Sequence, residues 1–255
     1  MNNATDYPLL VFVFSFFVLS LSALIGASFL RRRRKLEEDV RENFGVILAA
    51  TLTLLGLIIG FSFSMAVSRY DQRKNYEAAE ANAIGAEFVR AGLLPASDAA
   101  DIRALLRNYL DQRVLFYMAR DNQQILQIKA GTAQLQTELW SAVQAQAAAQ
   151  PTPTAALTVS GMNDVLNSQA YTQAAWWNRI PIAAWVLMGA IAICCNVLVG
   201  YNSQNVKAQG VLLLILPFVV SLAFFLIAEI DSPRGGVIRV NPQNLVSLAE
   251  SLRTH

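Results

Sequence analysis

The stretch GFSFSMAVSRYDQRKNYEAAEANAIGAEF, from Gly60 to Phe88, decides how the chain is organised. It begins with apolar residues typical of a membrane span and ends with a charged, amphipathic segment, and no turn signal separates the two parts. We therefore expect one continuous helix that leaves the membrane and extends into water.

The composition indicates an integral membrane protein. Of 255 residues, 55% are hydrophobic and only 15% are charged, and the mean hydropathy is +0.38, which is unusual for a soluble domain of this length. The net charge is only +2. Because basic residues alternate with acidic ones outside a single cluster, the composition argues against a nucleic-acid-binding surface.

Four apolar runs each approach the ~20 residues that a helix needs to cross the hydrocarbon core. We predict an all-α membrane protein with four transmembrane helices in two hairpins, and a helical extramembrane domain inserted between spans two and three, into which both spans extend. The apolar runs are Pro8–Leu30, Phe44–Val67, Ile180–Gly200 and Gly210–Ala228.

The predicted domain boundaries follow from these runs. Within the extramembrane part, the near balance of basic and acidic residues between Arg69 and Lys129 predicts solvated, ion-paired helical faces, and Pro95 separates two of the helices. A further helix is expected to end near Gln150, before a loop at the PTPT sequence. The boundaries are 1–67 for the first hairpin, 68–178 for the extramembrane domain, 179–228 for the second hairpin and 229–255 for the C-terminal tail.

The residues that catalysis or metal binding would need are missing. Cys194 and Cys195 are adjacent in an apolar run, where they are expected to pack as small hydrophobic side chains, and His255 is the only histidine. No nucleophile, base and orienting group can be assembled. We therefore predict no catalytic residue, no metal site, no cofactor and no enzyme activity.

A stripe of small and polar residues runs along the second span. On a helix of ~100° per residue, Thr53, Gly56, Gly60 and Ser64 lie within about 80° of each other. Two readings remain open: Gly56 and Gly60 form a close-packing face, or Thr53, Leu57, Phe61 and Ser64 line a pore formed by several copies. No charged residue lies between Phe44 and Val67, so such a pore would depend on hydroxyl groups and an apolar constriction.

Charged residues mark the ends of the second and fourth spans. Arg69 and Arg73 could attract anions at a pore vestibule, and Glu229 and Asp231 could form a charged ring at its mouth. Alternatively, these residues pair locally, the cations with Glu77 and the acids with Arg234 or Arg239.

The distribution of cations predicts the orientation. Six of them lie between spans one and two, whereas none precedes span one. This loop is therefore expected in the cytoplasm, with the N-terminus, the helical insert and the C-terminus on the extracytoplasmic side of a bacterial cytoplasmic membrane. The six cations are Arg31, Arg32, Arg33, Arg34, Lys35 and Arg41.

The segment GFSFSMAVSRYDQRKNYEAAEANAIGAEFVRAGLLP, with the later WNRIPIAAWVLM and EIDSPRGGVIRVNPQNL, resembles the bacterial bestrophin-like domain family. More remotely, Gly60-Phe61 followed by Arg69-Tyr70 is similar to the second span of the bestrophin anion channels. The resemblance implies a homo-oligomer, a pentamer, in the lipid bilayer, passing inorganic anions through a pore lined by the second span.

The resemblance also has implications for individual residues of the pore. It places the large apolar pore residues of bestrophins at Thr53, Leu57 and Phe61, and Thr53 departs from that pattern. Only Glu229 and Asp231 stand where animal bestrophins have an acidic calcium clasp, so calcium is not carried over. Bestrophins place the extension of span two in the cytosol, opposite to the orientation that the cations predict. The alternative function is a non-conducting scaffold or signalling protein whose extramembrane helices bind a partner.

Overall fold

The computed structural model of the chain describes residues 6–30, 38–203 and 206–253. These residues are helical for most of their length, and none of them lies in a strand. The predicted cation cluster, Arg31–Lys35, falls outside the described residues. The helices are α1 Pro8–Ile25, α2 Glu38–Arg90, α3 Ala96–Met118, α4 Asn122–Ala149, α5 Pro153–Trp177, α6 Ile182–Asn202, α7 Val206–Asp231 and α8 Gln243–Arg253.

Helix α2 confirms the continuous rod predicted from Gly60 to Phe88. It runs for 53 residues without a break, which at ~1.5 Å per residue is far longer than the ~30 Å of a hydrocarbon core. Within this helix, Phe44–Val67 is a segment without charged residues that is long enough to span the hydrocarbon core. The helix ends in a short 3₁₀ turn at Ala91–Leu93, and Pro95 separates it from α3 as predicted.

Four helical stretches of the described chain are long and apolar enough to cross a membrane. They confirm an all-α membrane protein with four spanning helices. The stretches are Pro8–Ser28, Phe44–Leu93, Pro153–Asn202 and Gly210–Asp231.

The third span connects to the helical insert differently from the second. It was predicted to extend into the insert through a helix that ends at Trp177, before a span that begins at Ile180. In the structure α5 ends at Trp177, and α6 begins at Ile182 after Pro181. Pro181 has no backbone N–H and disfavours helical geometry at Ile180, so the helix is interrupted there. The PTPT loop is also shorter than predicted, because Pro153 is already the first residue of α5.

One compact unit comprises Met1–Tyr70 and Arg179–Arg239. In it α1 packs against α6 and α7, and the apolar core also takes in side chains of α2. Glycines allow the closest helix contact: a Cβ at Gly200 would overlap the carbonyl oxygen of Ala23, and one at Gly26 would overlap that of Val197. The core residues include Leu19, Leu55, Ala66, Met188, Ala192, Cys195, Val220, Phe224 and Ile227.

The second compact unit comprises Asp71–Asn178 and Val240–His255. Here α3 packs on α4, α4 on α5, and α8 on α3. Asp121 begins α4 by accepting a hydrogen bond from the backbone N–H of Gln124, and Thr152 begins α5 in the same way with Ala155. The fully buried apolar side chains include Ile84, Ile102, Leu106, Leu139, Val143, Met162, Val165 and Leu245.

Buried charges in the second unit correct another prediction. The charged residues of the insert were expected to be solvated, yet five of them are at most 1% exposed. Their positions on α2 and α3 face the interior of the unit, where Glu80 pairs with Arg113 and Glu77 accepts hydrogen bonds from Asn244 and Leu245. These residues are Arg73, Glu77, Glu80, Glu87 and Arg113.

Candidate functional site

The uncharged segment of α2 has two different faces. Leu55 and Ala66 belong to the core of the first unit, whereas Leu57 and Phe61 are 52% and 62% exposed. The predicted pore residues Thr53 and Ser64 are also exposed. The structure therefore brings the four predicted pore residues to one open side of α2, away from the packing contacts within the chain.

The hydroxyl group of Thr53 is already engaged by its own helix. Its Oγ1 donates to the carbonyl oxygen of Ala49 over 2.8 Å. An oxygen that donates in this way keeps its lone pairs available as acceptors. Thr53 thus presents an acceptor and a methyl group at the open face of α2, and no free donor.

Gly56 and Gly60, the predicted close-packing pair, do not pack against another helix within the described part of the chain. Among the described residues, no heavy atom lies within 4 Å of a Cβ built at either glycine. The close approaches of backbone to backbone occur instead at Gly26 and Gly200. The two α2 glycines share the open face with the predicted pore residues, where they remain available to a neighbouring copy.

The charged residues at the ends of the spans form local contacts. Asp231 accepts hydrogen bonds from the backbone N–H of Ile180, with both carboxylate oxygens at 3.2 Å, and its Oδ1 lies 3.8 Å from Nη1 of Arg69. It is 1% exposed. Asp231 therefore ties the end of α7 to the residue that precedes Pro181 and balances the charge of Arg69.

Glu229 holds the turn that follows α7. Its Oε2 accepts from the backbone N–H of Val237 over 2.6 Å, and a Cβ at Gly236 would overlap the same oxygen. A glycine at 236 is needed because the carboxylate lies directly against the backbone. Both acids predicted for the pore mouth are thus occupied by backbone contacts in one chain, and their role as vestibule charges stays a prediction.

Arg73 lies in the other unit from Arg69. It is 1% exposed, one turn before Glu77 on α2. Glu77 accepts from the backbone N–H of Leu245 over 3.0 Å and from the amide nitrogen of Asn244 over 2.6 Å. These donors belong to the first turn of α8, where a negative charge is stabilised by the helix dipole. Glu77 therefore fixes the C-terminal helix within this unit.

A buried polar network at the centre of the second unit was not predicted from the sequence. Glu80 accepts from the guanidinium group of Arg113, from the hydroxyl group of Thr172 over 3.1 Å and from that of Tyr117 over 3.5 Å. Burial is the main cause that raises the pKa of Tyr117 and of Tyr109 above their ordinary values, with the charge of Glu80 adding to it. Both phenols therefore stay neutral at any physiological pH; the hydroxyl group of Tyr117 donates to Glu80, and that of Tyr109 accepts from the side-chain amide of Gln136 over 3.5 Å.

A signal for these buried charges is present in the sequence. Positions 73, 77, 80, 84, 87 and 91 follow the alternating three- and four-residue spacing of a helix face that packs on other helices. Ile84 and Ala91 occupy two of these positions, and charged residues occupy the other four. The spacing of these positions indicates a helix face that packs on other helices, whereas the charged residue types taken alone indicate a face exposed to solvent.

The chain is similar to known proteins. The family model of the Bestrophin-like domain matches residues 12–245. No match is found among curated proteins.

Solved structures of a bacterial bestrophin homologue from Klebsiella pneumoniae share the fold. One, which carries a tryptophan-to-alanine substitution, has a TM-score of 0.65 at 12% identity and covers 100% of this chain and 97% of its own. Another has a TM-score of 0.61 at 13% identity, with 94% and 95% covered. Since the family model spans most of the sequence and the fold agrees along its whole length, the chain belongs to the Bestrophin-like domain family.

Proposed function

We propose that the protein is a homo-oligomeric ion channel that passes small inorganic anions along the open face of α2. The observation that carries this proposal is the character of that face, which is uncharged and exposed beside a buried opposite side. Family membership supports it. A pentamer is the assembly that the resemblance implies.

The residue types on the open face favour neighbouring helices or a water-filled path over lipid. Thr53, Gly56, Gly60 and Ser64 are small or polar, and such residues are enriched where membrane helices approach each other. Leu57 and Phe61 are the large side chains among them and would form the apolar constriction, with Thr53 and Ser64 as polar lining. Gly56 and Gly60 would allow copies of α2 to approach closely.

Conductance of purified protein in planar bilayers tests the proposal. Phe61→Ala should raise the single-channel conductance because it removes bulk from the constriction. Phe63→Ala is the matched control, since Phe63 is also exposed but lies about 160° around the helix from Phe61. If the native protein and Phe61→Ala are both silent in every salt, the channel proposal is overturned.

Reversal potentials in a potassium chloride gradient test the preference for anions. As a proposal based on charge alone, Arg69, Arg73, Glu229 and Asp231 contribute to the vestibule. The double variant Arg69→Gln with Asp231→Asn removes both charges of the pair without leaving either one buried alone. A change in the reversal potential supports a vestibule role, whereas an unchanged value assigns the pair to structure only.

The orientation is also a proposal. The cation-rich loop between the first two spans places the N-terminus, the helical insert and the C-terminus outside the cytoplasm. Alkaline phosphatase fused after His255 should then be active in a bacterial host, and a fluorescent protein fused there should be dark. The reverse result would give the cytosolic arrangement that the resemblance to bestrophins implies.

A non-conducting scaffold or signalling protein is the alternative. It is favoured by large apolar side chains that the second unit leaves exposed, among them Val89, Met118 and Leu126. A photo-cross-linking residue at Leu126 would capture a partner in cells, whereas one at the half-buried Glu138 on the same helix would not. Capture together with silent bilayers supports this alternative. Neither the channel nor the scaffold function involves catalysis.

A further inference from the structure

Glu87, near the end of α2, is a buried carboxyl group that the proposed channel does not use. It is 0% exposed, and within the part of the chain that the structure describes neither of its oxygens has a hydrogen-bond partner. This is unusual, because buried polar groups are nearly always hydrogen-bonded. Glu87 also lies well beyond the apolar segment Phe44–Val67, in the second compact unit.

The carboxyl group lies directly against the backbone of α5. A Cβ at Gly161 would overlap Oε2 of Glu87 and also Nη1 of Arg90. Because Gly161 has no side chain, the side chains of Glu87 and Arg90 can occupy the space that the Cβ of any other residue would fill. The packing of α2 on α5 at this point consequently depends on the state of these side chains.

Two charged groups face Glu87. Nη1 of Arg90 lies 3.8 Å from Oε2 of Glu87 and 4.0 Å from Oδ2 of Asp164, on α5. The first distance is too long for a hydrogen bond. From α3, Arg103 and Arg107 lie over the ring of the neighbouring Phe88. Their Nε groups donate to the carbonyl oxygens of Phe88 and Leu252.

Burial dominates the titration of Glu87. It raises the pKa from an ordinary 4.5 to about 8, an increase that Arg90 opposes and Asp164 reinforces. The group is therefore mainly neutral at neutral pH when α2 and α5 are packed together. When the contact opens to water, the carboxyl group returns to its ordinary pKa and releases its proton.

We propose that Glu87 is a proton-sensitive contact, which holds the end of α2 against α5 while it keeps its proton and opens as the pH rises. The sign follows from linkage, since the closed state binds one more proton than the open state between the two pKa values. The opening equilibrium constant should therefore increase about tenfold per pH unit between about pH 5 and 8, and should become constant above that range.

Hydrogen–deuterium exchange of the full chain in lipid nanodiscs measures this opening. The readout is the protection factor, corrected for the intrinsic pH dependence of exchange, in peptides that cover Ile84–Val89 and Gly161. Protection should fall about tenfold per pH unit and then level off near pH 8. Glu87→Gln should remove the slope, because the amide does not titrate.

Two further variants move the point at which protection levels off, in opposite directions. Asp164→Asn should move it to lower pH, because it removes a negative charge that favours the neutral form of Glu87. Arg90→Gln should move it to higher pH. Asp164 is 61% exposed, so its variant tests the proposal even if Glu87→Gln fails to fold. A purely structural contact would not show these opposite shifts.

Glu138→Gln is the control for removal of a carboxyl group elsewhere, since Glu138 is half-buried and accepts a hydrogen bond from Gln134. It should keep the native slope. A native protein without a slope between pH 5 and 8, or a Glu87→Gln variant with the native slope, overturns the proposal. So does an unchanged levelling point in both Asp164→Asn and Arg90→Gln.

Discussion

At the scale of single residues, the glycines separate two kinds of helix contact. At Gly200 and Gly26, backbone atoms of the same chain occupy the space that a Cβ would need. At Gly56 and Gly60 that space is open among the described residues. The small-residue spacing in span two was visible in the sequence. The partners of Gly26 and Gly200 were not, because they come from helices that only the fold brings together.

Substituting Gly200 therefore tests the packing of the first unit. Gly200→Ala should destabilise the protein by about 1–3 kcal/mol, because its Cβ overlaps the carbonyl oxygen of Ala23. Thermal unfolding in detergent measures the effect. Gly189→Ala is the control on the same helix, since no atom of another described segment lies within 4 Å of a Cβ built there. Equal midpoints for the two variants would contradict this account of the contact.

The Arg113–Glu80 pair gives a second prediction for single residues. Arg113→Met should cost about 3–5 kcal/mol, because it leaves the buried carboxylate of Glu80 without its compensating charge. The double variant Arg113→Met with Glu80→Gln should regain much of this loss. Chemical denaturation of the purified protein measures both effects.

An exposed ion pair serves as the control for that experiment. Arg253 and Asp111 are 70% and 52% exposed in their side chains, and exposed pairs contribute little. Arg253→Gln should therefore leave the denaturation midpoint almost unchanged. A loss as large as that of Arg113→Met would mean that burial is not what makes the Glu80 pair important.

At the scale of helices, α8 depends on its docking. It has 11 residues, fewer than an isolated helix needs to be stable in water. Leu245 and Leu252 are buried, and Glu77 holds its first turn. Replacing the carboxylate with an amide should weaken these hydrogen bonds by about 1–2 kcal/mol.

Hydrogen exchange in α8 checks this expectation. Glu77→Gln should speed exchange of the α8 amides by roughly 5–30-fold, while leaving α4 unchanged. Glu250→Gln is the control, because it removes an exposed carboxylate from α8 itself. Equal exchange in the native protein and Glu77→Gln would show that the apolar contacts alone hold the helix.

The helices also show what sequence patterns could reveal. The four apolar runs predicted the spans because a helix in lipid needs about 20 apolar residues, and the lack of a turn signal predicted α2. No helix was predicted in the tail, although Leu245, Leu248 and Leu252 recur there at helical spacing.

At the scale of the whole molecule, the open face of α2 predicts association of copies. The protein in nanodiscs should have a mass several times the 28.0 kDa of one chain, because small and polar residues on an exposed membrane face favour helix contacts over lipid. Mass photometry measures this. A single chain per nanodisc would contradict the association.

A large side chain on that face should prevent association. Gly60→Leu is expected to reduce the mass, because it separates neighbouring copies of α2. Gly210→Leu is the control, since Gly210 lies on α7 and, among the described residues, no atom of another segment lies within 4 Å of a Cβ built there. The sequence predicted the span that carries this face. It could not indicate which side of α2 the rest of the chain covers, because that follows from the packing of four helices.

The contacts of Asp6 constrain the order in which the ribosome and the fold can complete the first unit. Its carboxylate binds Arg179 and Ser232, which are 173 and 226 positions further along the chain. Since translation proceeds from the N-terminus, Asp6 has both partners only after the chain has been synthesised through Ser232. Closure of this ring of contacts is therefore a late step of biogenesis, and a nascent chain that stops before Ser232 leaves it open.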